Sequence, residues 1–237
     1  MKNGIWVASF DIGKKNFSWC IEEFDKKQLS CISDIEKEKR YNKNGTTTVS
    51  MENILTKIYN VGRVISHENV DLTKTLSKEE AIKQLDVKIL INMYELLESN
   101  LELWSLCDFI LIEEQMHFGS KINFMAIKLA QHCFSYFIFK FGKAKTIIDF
   151  PSYHKTQVLG AYKVESNKSN RYKAMTKTAR KKWAVTKAIE ILELRKEKNK
   201  LNEPEVKGKK NKKIKKDDLA DTFLMCQAFK YLHFVES

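Results

Sequence analysis

Glycine and proline are scarce in this chain, eight and two among 237 residues. So few glycines leave no room for a set of glycine-rich phosphate loops, and the two prolines, Pro151 and Pro204, fall at breaks between apolar segments. Cysteine is limited to Cys20, Cys31, Cys107, Cys133 and Cys226, an odd and widely spaced set without a C-x-x-C pair. That spacing excludes a disulfide framework and a cysteine zinc site, and it predicts a reducing compartment. No apolar run reaches the length of a membrane span or a secretory leader, so the sequence predicts a soluble, intracellular protein without a membrane partner.

Charge is present in quantity and unevenly placed. Forty-two Lys and Arg against thirty Asp and Glu give +12, and the interval 151–216 holds twenty-one basic and six acidic residues, a local +15. The remainder of the chain is therefore slightly acidic, and the positive field belongs to one region. Such a region implies an acidic partner such as nucleic acid. Within it, 195–216 carries eleven basic and three acidic residues. This stretch cannot bury a core and predicts a flexible basic loop, with Lys209, Lys210, Lys212 and Lys213 as DNA-contacting candidates.

Apolar runs at Ile5 to Asp11, Phe17 to Phe24 and Gln28 to Ile35, separated by short polar breaks, predict three consecutive antiparallel strands. Met51, Ile54, Leu55, Ile58, Val61 and Ile65 recur at helical spacing, with Gly62 a weak point. Ser77 and Glu80 form a capping box ahead of an amphipathic stretch reaching Ser99. Phe109 to Glu113 reads as a fourth strand, 121–141 as a helix, Ala144 to Phe150 as a fifth strand, and 178–193 and 218–234 as helices. The order defines an α/β fold with a five-stranded mixed sheet flanked by helices. One domain over 1–237 is expected, with an inserted helical and loop segment at about 36–100.

Three acidic clusters sit at the ends of these apolar runs. Asp11 closes I-W-V-A-S-F-D-I-G, where Gly13 lets a phosphate or metal approach the backbone. Glu113 and Glu114 close F-I-L-I-E-E-Q, and strand alternation allows only one of them to share a face with a given neighbour. Asp218 and Asp221 in K-K-D-D-L-A-D-T-F-L lie three apart, on one helical face, while Asp217 suits an N-cap. Isolated buried carboxylates are costly, and a shared Mg²⁺ compensates several of them together. His117 and His154 fit no metal-ligand spacing and read as polar surface residues. Tyr153, Tyr162, Tyr172 and Trp183 interleave with the basic region and are candidates for stacking on an unpaired base.

Strand Asp, strand Glu and helical D-x-x-D, in this order of elements, resemble the RuvC-type Holliday junction resolvases of the RNase H-like superfamily, and I-E-E-Q with K-K-D-D-L-A-D-T-F is most similar to the poxvirus and large-DNA-virus branch. The resemblance spans nearly the whole chain, although 36–100 and 161–177 have no counterpart in it. It implies an RNase H-like fold and a metal-dependent endonuclease that resolves four-way DNA junctions. The implied catalytic and metal-binding acids are Asp11, Glu113, Asp218 and Asp221, with Glu114 and Asp217 as alternates. The implied cofactor is Mg²⁺, two ions, with Mn²⁺ able to substitute. Basic residues between the fifth strand and the last helix match Lys155, for DNA contact, and Lys182 or Lys181, for catalysis or DNA contact.

A four-way junction is two-fold symmetric, so paired nicks call for a homodimer, with apolar helix faces such as 122–137 as the candidate interface. A protein of viral origin would act where viral DNA is replicated or recombined. Three other readings compete. An actin-like ATPase or sugar kinase shares the opening strand and D-x-G, but residues 147–152 offer no D-x-G-x-T. A binding module that holds nucleic acid without cutting it shares the basic region and lacks a use for the acids. A related RNase or transposase shares the acids and differs in substrate.

Overall fold

The computed structural model describes residues 4–82, 87–115, 123–166, 169–202 and 215–236. Strand β1 (Ile5–Asp11) turns back into β2 (Phe17–Phe24), followed by helices α1 (Lys26–Ser30) and α2 (Val49–Tyr59), strand β3 (Arg63–Val70), and helices α3 (Lys78–Ile82), α4 (Val87–Ser99) and α5 (Leu101–Leu106). Strand β4 (Phe109–Glu113), helix α6 (Phe124–Phe141), strand β5 (Thr146–Phe150) and helix α7 (His154–Val158) come next. A hairpin, β6 (Lys163–Ser166) and β7 (Ser169–Ala174), then leads to α8 (Lys177–Leu194) and α9 (Lys216–Phe234). The main sheet has the order β3-β2-β1-β4-β5. The first three strands are antiparallel, and β1, β4 and β5 are parallel. This is the expected mixed sheet, its parallel half built through helical crossovers.

The third strand is not the one expected. Gln28 to Ile35 contains the end of α1, started by Asp25, whose carboxylate accepts the Lys27 amide at 2.8 Å. Strand β3 comes instead from the far end of the supposed 51–65 helix. Gly62, at φ +119°, breaks the helical path in a conformation that side chains avoid. A Cβ there would also lie 2.6 Å from the Glu22 carboxylate. Segment 36–100 therefore supplies a sheet strand and is not a simple insertion.

Each face of the sheet is covered. On one side Phe10, Phe17, Trp19, Trp104 and Phe137 pack with α4, α5 and α6, Phe10 meeting Trp104 edge-on at 5.2 Å. On the other side α9 lies across β1 and β2 beneath α2 and α8, and nearly every residue from Asp218 to Tyr231 is buried. Ser9 donates to the Thr222 carbonyl at 2.7 Å, tying the first strand to this helix. Among the described residues no helix is long and apolar enough to cross a membrane.

Candidate active site

Alternation along two neighbouring strands sets the site. Val7, Ser9 and Asp11 on β1 and Phe109, Leu111 and Glu113 on β4 point toward α9, where Val7 and Leu111 join its apolar cluster. The strands run parallel with Phe10 opposite Ile112, so Asp11 and Glu113 follow side by side at the carboxyl ends. Asp218 and Asp221 approach from the first turns of α9, one helical step apart. Lys155, on α7 just beyond β5, reaches into the middle. Its ammonium donates to Glu113 Oε1 at 2.8 Å and pairs with Asp221 Oδ1 at 3.2 Å. Its side chain is 6% exposed.

The electrostatics follow from four acids sharing one partly dry place. Burial, then the charge of Glu113, pushes the Asp11 carboxyl well above the usual range, with Asp221 and Asp218 adding to the effect and Lys155 opposing it. Burial likewise raises Asp221, where Lys155 opposes and Glu113 reinforces. Asp218 is raised by burial against the pull of Lys215, whose ammonium meets both of its oxygens at 2.9 Å. Although burial works against a charged lysine, Glu113, Asp221 and Asp11 hold Lys155 protonated above its ordinary value. The cluster gathers four carboxyl groups around one buried lysine.

Several sequence expectations resolve here. Glu113 faces the cluster; Glu114 continues past the strand, its amide donating to Phe150 O at 2.9 Å. Asp217 is not the N-cap of α9, a position held by Lys215. It lies in the first turn and pairs with Lys181, and despite burial the Lys181 hydrogen bond and the charges of Lys215 and Lys181 hold it below its ordinary value. Lys182, the next residue on α8, is exposed. Lys155, expected as a DNA contact, is buried among the acids, where three carboxylates draw it inward. Lys209, Lys210, Lys212, Lys213 and His117 lie outside the described residues. His154 packs against Tyr153 and Phe150, where burial lowers its pKa. Lys215 was missed; its signal was its place one helical step before Asp218.

Hard carboxylate oxygens brought together from three elements fit a divalent cation such as Mg²⁺ in donor chemistry. The spacing is not that of a preformed cage, since no three acidic, histidine or cysteine groups among the described residues stand close enough together to hold an ion. Lys155 fills the gap between Glu113 and Asp221 that a cation would otherwise neutralise.

The fold is that of a solved viral resolvase. The chain superposes on the Fowlpox virus resolvase of a complex with substrate Holliday junction DNA, with a TM-score of 0.51, 15% identity and coverage of 96% of this chain and 98% of that one. Thermus thermophilus RuvC aligns with a TM-score of 0.49 and 12% identity over 96% of this chain and 95% of its own. No family model matches. The chain belongs to the same family as Uncharacterized protein 170L of Invertebrate iridescent virus 6, being 30% identical over 248 residues that cover 98% of this chain and 91% of that relative. It is also 25% identical to Uncharacterized protein 97L of Invertebrate iridescent virus 3 over 231 residues, 94% of this chain and 98% of that one.

Proposed function

We propose that the protein is a metal-dependent endonuclease that resolves four-way DNA junctions by paired symmetric nicks, acting as a homodimer. The observation that carries this reading is the convergence of Asp11, Glu113, Asp218 and Asp221, from two adjacent strand ends and one buried helix, around a buried lysine. Carboxylates aimed at a phosphodiester repel it unless cations intervene, so a pure binder has no use for the arrangement. Asp11, Glu113, Asp218 and Asp221 would hold Mg²⁺ or Mn²⁺, two ions, which supply an activated water and stabilise the leaving 3′ oxygen. Lys155 orients Glu113 and Asp221 through its two contacts. Lys181, Lys182 and Lys215 bring positive charge to the rim, where a scissile phosphate would enter. Basic residues of 195–216, Lys209, Lys210, Lys212 and Lys213 among them, would contact phosphates along a duplex arm.

The stripe of α6 expected as the interface is instead core, with Leu129, Cys133, Tyr136 and Phe137 buried against the sheet. The dimer reading is supported by substrate symmetry and by another face of α6, which leaves Phe124 67% and Phe139 86% exposed beside Ile138. The viral relatives support a role in processing viral replication or recombination intermediates.

The test is substrate choice. Labelled four-way junction, flap, RNA–DNA hybrid and linear duplex are incubated with the protein in Mg²⁺. The junction should be cut symmetrically and in preference to the others, and Asp11→Asn, Glu113→Gln, Asp218→Asn and Asp221→Asn should each lower the rate at least about 100-fold while retaining binding. Preference for the hybrid would make the protein an RNase H. Binding without cleavage in either metal would make it a binding module.

A further inference from the structure

The hairpin of β6 and β7 buries almost nothing of itself. It pairs with no strand of the main sheet. Every side chain from Arg171 to Ala174 is exposed, as are those of Lys163, Val164 and Glu165 across the ribbon. An isolated two-stranded ribbon is marginal in water, so this one depends on its root and on whatever its faces meet. The root is well made. Met175 is buried, the Lys163 amide donates to Asn44 O at 2.6 Å, and Ala161 donates to Thr156 O at 2.8 Å. Gly45, at φ +84°, lets the 42–47 turn close against Ala161; a Cβ there would stand 3.2 Å from the Ala161 carbonyl.

What the ribbon presents is specific in chemistry. Lys163, Arg171 and Lys173 make no ion pair among the described residues, against Glu165 as the one acid of β6 and β7. Tyr172 is 41% exposed and its ring meets no other ring among them. Register places Tyr172 across from Glu165, and Lys173 across from Val164 on the opposite face. Both faces are therefore available, each with a basic residue and an apolar or aromatic one. The chain enters the ribbon from α7, which carries Lys155, and leaves it into α8, which carries Lys181. The ribbon's two ends thus adjoin in sequence the helix of the cluster's buried lysine and the helix whose Lys181 pairs with Asp217.

We propose that the β6–β7 ribbon is a DNA clamp. It lies along a duplex arm beside the active site, with Lys163, Arg171 and Lys173 on phosphates and Tyr172 stacked on a base exposed where the arm meets the branch point. A two-stranded ribbon has the width of a DNA major groove, positive charge complements the phosphates, and an exposed tyrosine ring suits a base face. The inference rests on the nuclease reading and assigns it a substrate-gripping element.

The experiment measures binding of the full chain to a fluorescent four-way junction by anisotropy, without divalent metal, over a salt series. Arg171→Ala with Lys173→Ala should weaken binding about tenfold and lower the slope of log affinity against log salt by about 0.9 for each lost contact. Tyr172→Ala should weaken junction binding about tenfold, and Tyr172→Phe, which keeps the ring, should restore it. Circular dichroism confirms that each variant is folded. Affinities within twofold of wild type and an unchanged slope, in a protein that cuts junctions normally, would overturn the clamp and leave the nuclease reading intact. A wild-type chain that neither binds nor cuts branched DNA removes the nuclease reading itself, and the clamp with it.

Discussion

Asp11 is a carboxylate whose fold works against its ionisation. Its ordinary pKa of 3.8 is pushed well up by burial and by Glu113. A carboxyl raised in this way costs the folded state nothing while protonated, and the cost grows as pH rises from the unfolded value through the folded one. Asp11→Asn should therefore raise the Tm of the metal-free protein at pH 7.5, by about 2–4 °C per kcal/mol relieved, and the gain should vanish near pH 4. Thermal melts at the two pH values check this. Under the proposed function saturating Mg²⁺ should reverse the order at pH 7.5, because only the wild type would keep the full set of ligands. The aspartate itself was legible in the sequence as a strand-terminal acid. Lys155 was legible only as a basic residue in the right interval. Its inward turn depends on three carboxylates that are 42, 66 and 144 positions away, and no local pattern announces that.

Elements explain both the sheet that was foreseen and the strand that was not. The 51–65 apolar series has a helical period by coincidence across its last two members, because Val61 packs in the turn and Ile65 lies in β3. Asp25 ahead of Lys26 was a usable N-cap signal for α1. What holds α9 against β2 was invisible for the same reason as Lys155. Glu22, fully buried, accepts from Lys230 at 2.8 Å and from Arg195 at 2.7 Å on one oxygen and from Gln227 at 2.7 Å on the other. Burial opposes its charge, yet Arg195 and Lys230 hold its pKa below the ordinary 4.5, while burial lowers that of Lys230 to about 8. Removing one member leaves the others charged and dry. Glu22→Gln should cost about 3–5 kcal/mol in urea unfolding near neutral pH. The stability due to a lowered carboxyl is present above its ordinary pKa and lost as pH falls through the folded one, so the gap between wild type and Glu22→Gln should narrow below pH ~4.

At the scale of the whole molecule, acid and base are segregated. The site acids come from β1, β4 and α9, while the intervals that supply α7, the ribbon and α8 carry the basic excess. The composition alone showed that segregation, whereas the apolar stripe of α6 that the sequence offered as an interface is core and another face is left uncovered. Phe124→Glu with Phe139→Glu should shift a dimer to monomer in analytical ultracentrifugation and uncouple the two nicks, leaving junctions cut on one strand. A wild-type monomer would remove the basis for paired cutting.

The union of β1 with α9 also bears on when a nuclease built as proposed would first be able to cut DNA. Asp11 belongs to one of the earliest elements to leave the ribosome and Asp218 and Asp221 to the latest described one, and Ser9 meets Thr222 only after α9 has docked. The intervening helices and strands cannot close the cluster by themselves. A nascent or truncated chain without α9 thus lacks Asp218 and Asp221, and the proposed capacity to cut would await the helix that also completes the core.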